Sequence, residues 1–126
     1  MRMSAQKTDQ TSSQDDPGVA NEVRLVGRLS QEPEMRELPS GDTIWTFRVV
    51  VPRLPTRERP RPPVDALECC VWSGRLKRSV RSWRAGDVVE VTGSLRRRFY
   101  RAGGGASSRV EVEALTGRVI RRASTG

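Results

Sequence analysis

Gly86–Arg101 reads GDVVEVTGSLRRRFYR, and this stretch organises the chain. It opens on a Gly-Asp turn and runs into the branched residues Val88, Val89, Val91 and Thr92. Gly93 interrupts the run. Four arginines interleaved with two rings then follow: Arg96, Arg97, Arg98, Phe99, Tyr100 and Arg101. Branched residues favour a pleated, half-buried strand. The second half has the composition of a surface on which arginines meet phosphates and rings stack on bases, as single-stranded nucleic acid requires. By alternation, Val89, Val91 and Leu95 form the inward half. Arg96, Arg98 and Tyr100 share the ligand-facing half, and Arg97 and Phe99 point away.

The other strands follow outward from there. Asn21–Ser30 alternates with period two: Val23, Leu25, Gly27 and Leu29 on one face, Arg24, Val26 and Arg28 on the other. Gly27 inside it suggests a bulge or a sharp bend. Gln31–Asp42 has turn chemistry at both ends, with a short extended piece around residues 35–38. Thr43–Val51 puts Trp45, Phe47, Val49 and Val51 on a core face and Ile44, Thr46, Arg48 and Val50 opposite. Asp65–Trp72 alternates Leu67, Cys69 and Val71 with Glu68, Cys70 and Trp72, which leaves Trp72 facing out. Arg109–Arg118 is the last strand, with Glu111 and Glu113 on a solvated face.

Between the third and fourth of these strands, Ser73 can cap a helix, SGRLKRSVRSW, whose Leu76, Val80 and Trp83 form one apolar stripe. Pro52–Val64, PRLPTRERPRPPV, is too rich in proline for a helix or a central strand and reads as a long basic loop. Its arginines are placed to clamp phosphate if the loop borders a binding face. Ala102–Ser108, AGGGASS, reads as a flexible glycine-rich turn. It lacks the lysine and the strand-to-helix setting of a nucleotide-phosphate loop. The sum is an all-β chain: a five-stranded OB-fold Greek-key barrel with one helix between strands 3 and 4.

Composition narrows the function. The chain has 126 residues and a net charge of +8, which favours a polyanionic partner. The first 20 residues are polar and close to neutral, so the basicity belongs to the folded part. The expected organisation is a disordered leader over 1–20, the OB domain over 21–121 and a short polar tail over 122–126. No apolar run approaches the ~20 residues of a membrane helix, and residues 1–17 lack the apolar region of a signal peptide. A cytoplasmic, nucleoid-associated protein without a membrane partner is expected. The adjacent Cys69 and Cys70 cannot form an unstrained bridge and make a poor metal site, so both read as small apolar residues. The chain has no histidine. Without that common general base and ligand, neither an enzyme nor a metal or cofactor site is expected.

The ordered set NEVRLVGRL (21–29), EPEMR (32–36), PSG (39–41), FRVVV (47–51), VW (71–72) and GDVVEVTGSLRRRFY (86–100) resembles the bacterial single-stranded DNA-binding protein family. The resemblance covers residues 21–121. It implies an OB-fold homotetramer that wraps single-stranded DNA in replication, recombination or repair. It further implies stacking on Trp72 and Tyr100 and phosphate contacts from Arg96 and Arg98. Arg28, Arg48 and Arg75 are further candidates, and Arg101 closes the run.

Three departures stand out. Positions near Ala66 and Pro55, where relatives carry stacking tryptophans, hold no ring. Glu68 stands where relatives often have a basic residue. The chain ends in RRASTG rather than in the acidic tip by which relatives recruit other enzymes. These features imply a short paralogue with weaker or more charge-dependent binding. The alternative they leave open is an OB-fold interaction module: a primosome-like adaptor, or a subunit of mixed oligomers with a housekeeping paralogue.

Overall fold

The computed structural model describes residues 18–124, apart from the side chains of Tyr100 and Ala102. Most of the expected leader thus lies outside the described residues. Six strands and one helix follow in order: β1 (Val23–Leu29), β2 (Glu34–Glu37), β3 (Thr43–Pro52), β4 (Val64–Val71), α1 (Gly74–Val80), β5 (Val88–Ala102) and β6 (Gly105–Arg121). The sheet order is β1-β5-β6-β4-β3-β2, and β1 also pairs with β3. That extra pairing closes five strands into a barrel. The sixth, β2, is the short extended piece, hydrogen-bonded to β3 alone and exposed throughout. β4 and β6 form the single parallel pair among the described strands, and the chain between them runs through α1 and β5.

The core follows from alternation. Leu29 on β1, Phe47 and Val49 on β3, Cys69 and Val71 on β4, Val89 and Val91 on β5, and Val112 and Ala114 on β6 all point inward and are buried. Trp45 and Val51 pack partly buried against them. The expected helix stripe is also present: Leu76, Val80 and Trp83 close one end of the barrel. The Trp83 ring meets Phe47 edge-on at 5.3 Å, the offset geometry that aromatic pairs prefer. Regular helix ends at Val80, so Trp83 is delivered by the turn that follows. Ser73 is the N-cap residue, but its hydroxyl makes no capping bond.

Two glycines mark where backbones meet. Gly27 lies in an unbroken register with β5, so the expected bulge is absent there. A Cβ at Gly27 would sit 2.3 Å from the Val50 carbonyl oxygen, where β1 passes from β5 to β3. The irregularities fall instead in the β5–β6 pairing, between Val88 and Val89 and between Thr92 and Gly93. A Cβ at Gly93 would lie 2.0 Å from the Glu113 carbonyl oxygen.

Beyond that bulge the structure departs from the sequence reading. Leu95, expected in the core, is 47% exposed. It pairs with the buried Val112 and keeps the inward orientation, yet it sits where β5 and β6 leave the barrel as a two-stranded arm. Among the described residues no opposing layer covers it. The glycine-rich stretch is equally different. Gly103 and Gly104, both at positive φ, make a two-residue turn between Ala102 and Gly105. Two successive residues of this kind match the twist of a hairpin, so Gly105–Ser108 are strand rather than flexible turn, paired with Phe99–Ala102.

Asp87 fastens the end of the barrel nearest the chain's C-terminal segment. It is 1% exposed and accepts bonds from the backbone N–H of Arg84 (2.9 Å) and of Ala123 (2.8 Å) and from the Arg122 guanidinium (3.0 Å). Burial opposes its ionisation. The two backbone donors and Arg122 outweigh that and hold its carboxyl below the usual carboxylate value.

Candidate nucleic-acid interface

The outer face of β2-β3-β4-β6-β5 gathers most of the residues singled out in the sequence. Register determines which side chains share it. Arg48 stands opposite Glu68, Thr46 opposite Cys70, and Arg36 on β2 opposite Ile44. On the other flank Arg96 stands opposite Glu111 and Arg98 opposite Arg109. Trp72, immediately after β4, is 39% exposed at the centre of this face. The Arg98 guanidinium lies 5.6 Å from its ring centroid, within cation–π distance. Together they border a cleft of about 240 Å³, whose walls include Arg36, Ile44, Glu68 and Glu111.

The arginines here are engaged by carboxylates. Arg48 Nε donates to Glu68 at 2.6 Å. Arg96 Nε donates to Glu113 at 3.0 Å, and Arg98 Nε to Glu111 at 3.2 Å. Arg98 also approaches Glu113 at 3.6 Å. Glu111 and Glu113 are therefore not a solvated face: both side chains are largely covered and sit between arginines. Burial acts against the charge on Arg98, but its contacts with Cys70 and Glu111 outweigh this and raise its pKa. Sequence reasoning placed these arginines on the face but missed the pairing. The pairs join β3 to β4 and β5 to β6, and only the register reveals them.

The remaining candidates scatter. Arg28 is exposed on the outer side of β1, next to β3 through the Arg28–Val50 pair. Arg75 opens α1 and borders a separate shallow depression with Leu115 and Gly117. Arg101 is exposed near the tip of the arm, opposite Ala106. Tyr100 pairs with Ser107 in the same arm, and its side chain lies outside the described residues. Phe99 is 76% exposed on the arm's other face. Ala66 lies on the outer face opposite Val50 and offers no ring. The proline-rich loop is pinned at its base by Arg53, whose guanidinium bonds both oxygens of Asp65 at 2.8 and 3.1 Å. Further out, Arg57, Arg59 and Arg61 are exposed, with no side-chain partner among the described residues.

Both cysteines are free and buried. Burial, reinforced by nearby negative charge, pushes the Cys69 thiol up to about 12 and Cys70 to about 11. Thiols held protonated are neither nucleophiles nor ready metal ligands. Among the described residues no group of three potential ligands is placed to hold a metal ion.

Known proteins share this architecture. Residues 20–120 match the model of the single-strand binding protein family. Single-stranded DNA-binding protein A of Bacillus subtilis is 32% identical over 82 residues, covering 65% of this chain and 48% of that protein. Single-stranded DNA-binding protein 2 of Listeria innocua is 31% identical over 82 residues, covering 65% and 52%. The chain thus spans about half the length of the curated relatives it matches. Among solved structures, a Plasmodium falciparum SSB in complex with ssDNA superposes with a TM-score of 0.68 at 22% identity, covering 84% of this chain and 97% of that one. That likeness establishes the OB-type fold.

Proposed function

We infer the function from the family: the chain belongs to the single-strand binding protein family, and we propose that it binds single-stranded DNA on the face around Trp72. As a member of that family it is a binding protein and not an enzyme. The observation that carries the reading is the Trp72–Arg98 stack, set in a face that also presents Arg48 and Arg96. An indole offers every base a stacking surface, and planar guanidiniums meet phosphate oxygens or extend the stack. Neither contact reads sequence, so the binding is sequence-tolerant.

The mechanism has two parts. Arginines displace counterions from the strand, and each phosphate contact adds salt dependence. Here Arg48, Arg96 and Arg98 each meet a phosphate beside a carboxylate partner, whose charge offsets part of the attraction, so the net gain per contact is smaller than for a free arginine. Arg28, Arg75 and Arg101 extend the path over the barrel, Tyr100 adds a second stacking ring on the arm, and the exposed arginines of the 53–63 loop close over the strand. The strand-binding unit is residues 21–121, with Arg122 and Ala123 docked against it on Asp87. It works as a homotetramer in replication, recombination or repair. The test is fluorescence anisotropy of labelled oligo-dT at graded salt. Affinity should fall linearly with salt on logarithmic axes. Affinity indifferent to salt would overturn the electrostatic part.

The arginine–carboxylate pairs also favour a second reading, an OB-fold interaction module with weak nucleic-acid binding. It requires partner capture that survives Trp72→Ala combined with Tyr100→Ala.

A further inference from the structure

The cleft beside Trp72 has a chemistry that generic strand binding does not require. Its walls combine an indole plane, the guanidiniums of Arg36, Arg98 and Arg109, and the carboxylates of Glu68 and Glu111. At about 240 Å³ it is smaller than sites for drug-sized ligands, ~300–1,000 Å³, and suits one ring system. The two carboxylates place hydrogen-bond acceptors beside the indole plane, where the edge of a stacked base would meet them. Arg48 Nε donates to Glu68 at 2.6 Å and Arg98 Nε to Glu111 at 3.2 Å, which fixes how the two carboxylates face the cleft. A carboxylate has about four acceptor positions, so one guanidinium does not exhaust it.

We propose that this cleft is a base-selective subsite in which Glu68 and Glu111 accept the exocyclic amine of a base stacked on Trp72, favouring cytosine over uracil or thymine. The inference rests on the single-strand reading above and deepens it. Cytosine presents an amine donor where uracil and thymine present a carbonyl oxygen. Carboxylates accept from the cytosine amine. A carbonyl in its place sets acceptor against acceptor. The ring acceptors of cytosine remain available to the Arg36 guanidinium, which has no partner among the described residues. The selectivity would add to the sequence-tolerant contacts, at the one position on the strand that enters the cleft.

The experiment compares equal-length oligo-dC, oligo-dU and oligo-dT by anisotropy, at one salt concentration and mildly alkaline pH, with the full chain. Cytosine and uracil differ at the amine, and thymine controls for the methyl group. Oligo-dC should bind about five- to tenfold more tightly than oligo-dU, the scale of one charge-assisted hydrogen bond partly open to water. In the double variant Glu68→Gln, Glu111→Gln the ratio should collapse toward one while oligo-dU binding holds or rises. Equal wild-type affinities for oligo-dC and oligo-dU overturn the inference without needing any variant to fold. So does a ratio that the double variant leaves intact, because carboxylates that only steady Arg48 and Arg98 would act on all oligomers alike. In both cases single-strand binding itself stands. Absence of binding to every oligomer would instead overturn the single-strand reading, and this inference with it.

Discussion

The guanidinium of Arg98 lies 5.6 Å from the ring centroid of Trp72, and the same guanidinium donates to Glu111 at 3.2 Å. One arginine thus joins the aromatic and the charged halves of the face. Each base–aromatic stack is worth roughly 1–3 kcal/mol, and this face holds a single described, exposed ring. Trp72→Ala should therefore weaken oligo-dT binding by about tenfold or more, with the fold unchanged by circular dichroism. Arg98→Ala should weaken it too and also reduce the salt slope.

Glu113 accepts from Arg96 at 3.0 Å and lies 3.6 Å from Arg98. Its removal frees two guanidiniums for phosphate. Glu113→Gln should tighten binding several-fold at low salt. It should also steepen the log–log salt dependence by up to about 0.7 for each additional phosphate neutralised. Weaker binding would mean that the carboxylate positions these arginines rather than competes for them.

Buried Asp87 satisfies two part-buried backbone donors and holds Arg122. Asp87→Ala leaves those N–H groups without their acceptor, a loss of about 1–3 kcal/mol measurable by urea denaturation. The pH dependence follows from the lowered folded-state pKa. The stabilisation is complete above the unfolded-chain value of about 3.9. It is lost as pH falls through the lower folded value. The wild type should lose stability in acid more steeply than the variant.

Cys69 and Cys70 are buried, with thiols pushed up to about 12 and 11. Alkylation by iodoacetamide at mildly alkaline pH should be slow in the native protein. It should become fast in denaturant, with both thiols modified, as mass spectrometry would read. Rapid native labelling of either would contradict the burial.

The barrel was largely legible from sequence because period-two alternation of branched residues is strong in β1, β3 and β4. The inward sets there, Leu29, Phe47, Val49, Cys69 and Val71, are the observed core. The β5–β6 arm was not legible. The Gly93 bulge and the exit from the barrel leave Leu95 without a covering layer, and alternation alone cannot report where a barrel stops. Gly103–Gly104 looked like flexible punctuation, but their positive φ values make a tight hairpin that adds Gly105–Ser108 to β6. On the candidate face, Trp72, Arg48, Arg96 and Arg98 stand on the side that type and parity assigned them. Their carboxylate partners Glu68, Glu111 and Glu113 escaped because cross-strand pairs depend on register, which the chain's linear order does not state.

Intrinsic fluorescence tests the central claim most directly, since of the three tryptophans Trp83 is buried in the core, Trp45 packs partly buried against that core from the inner face, and Trp72 lies on the proposed DNA face. Titrating the wild type with oligo-dT should quench emission in step with binding, and Trp72→Phe should abolish most of that quenching while the oligomer still binds. Binding that leaves wild-type emission unchanged, or quenching that persists undiminished in Trp72→Phe, would contradict the placement of single-stranded DNA on this face.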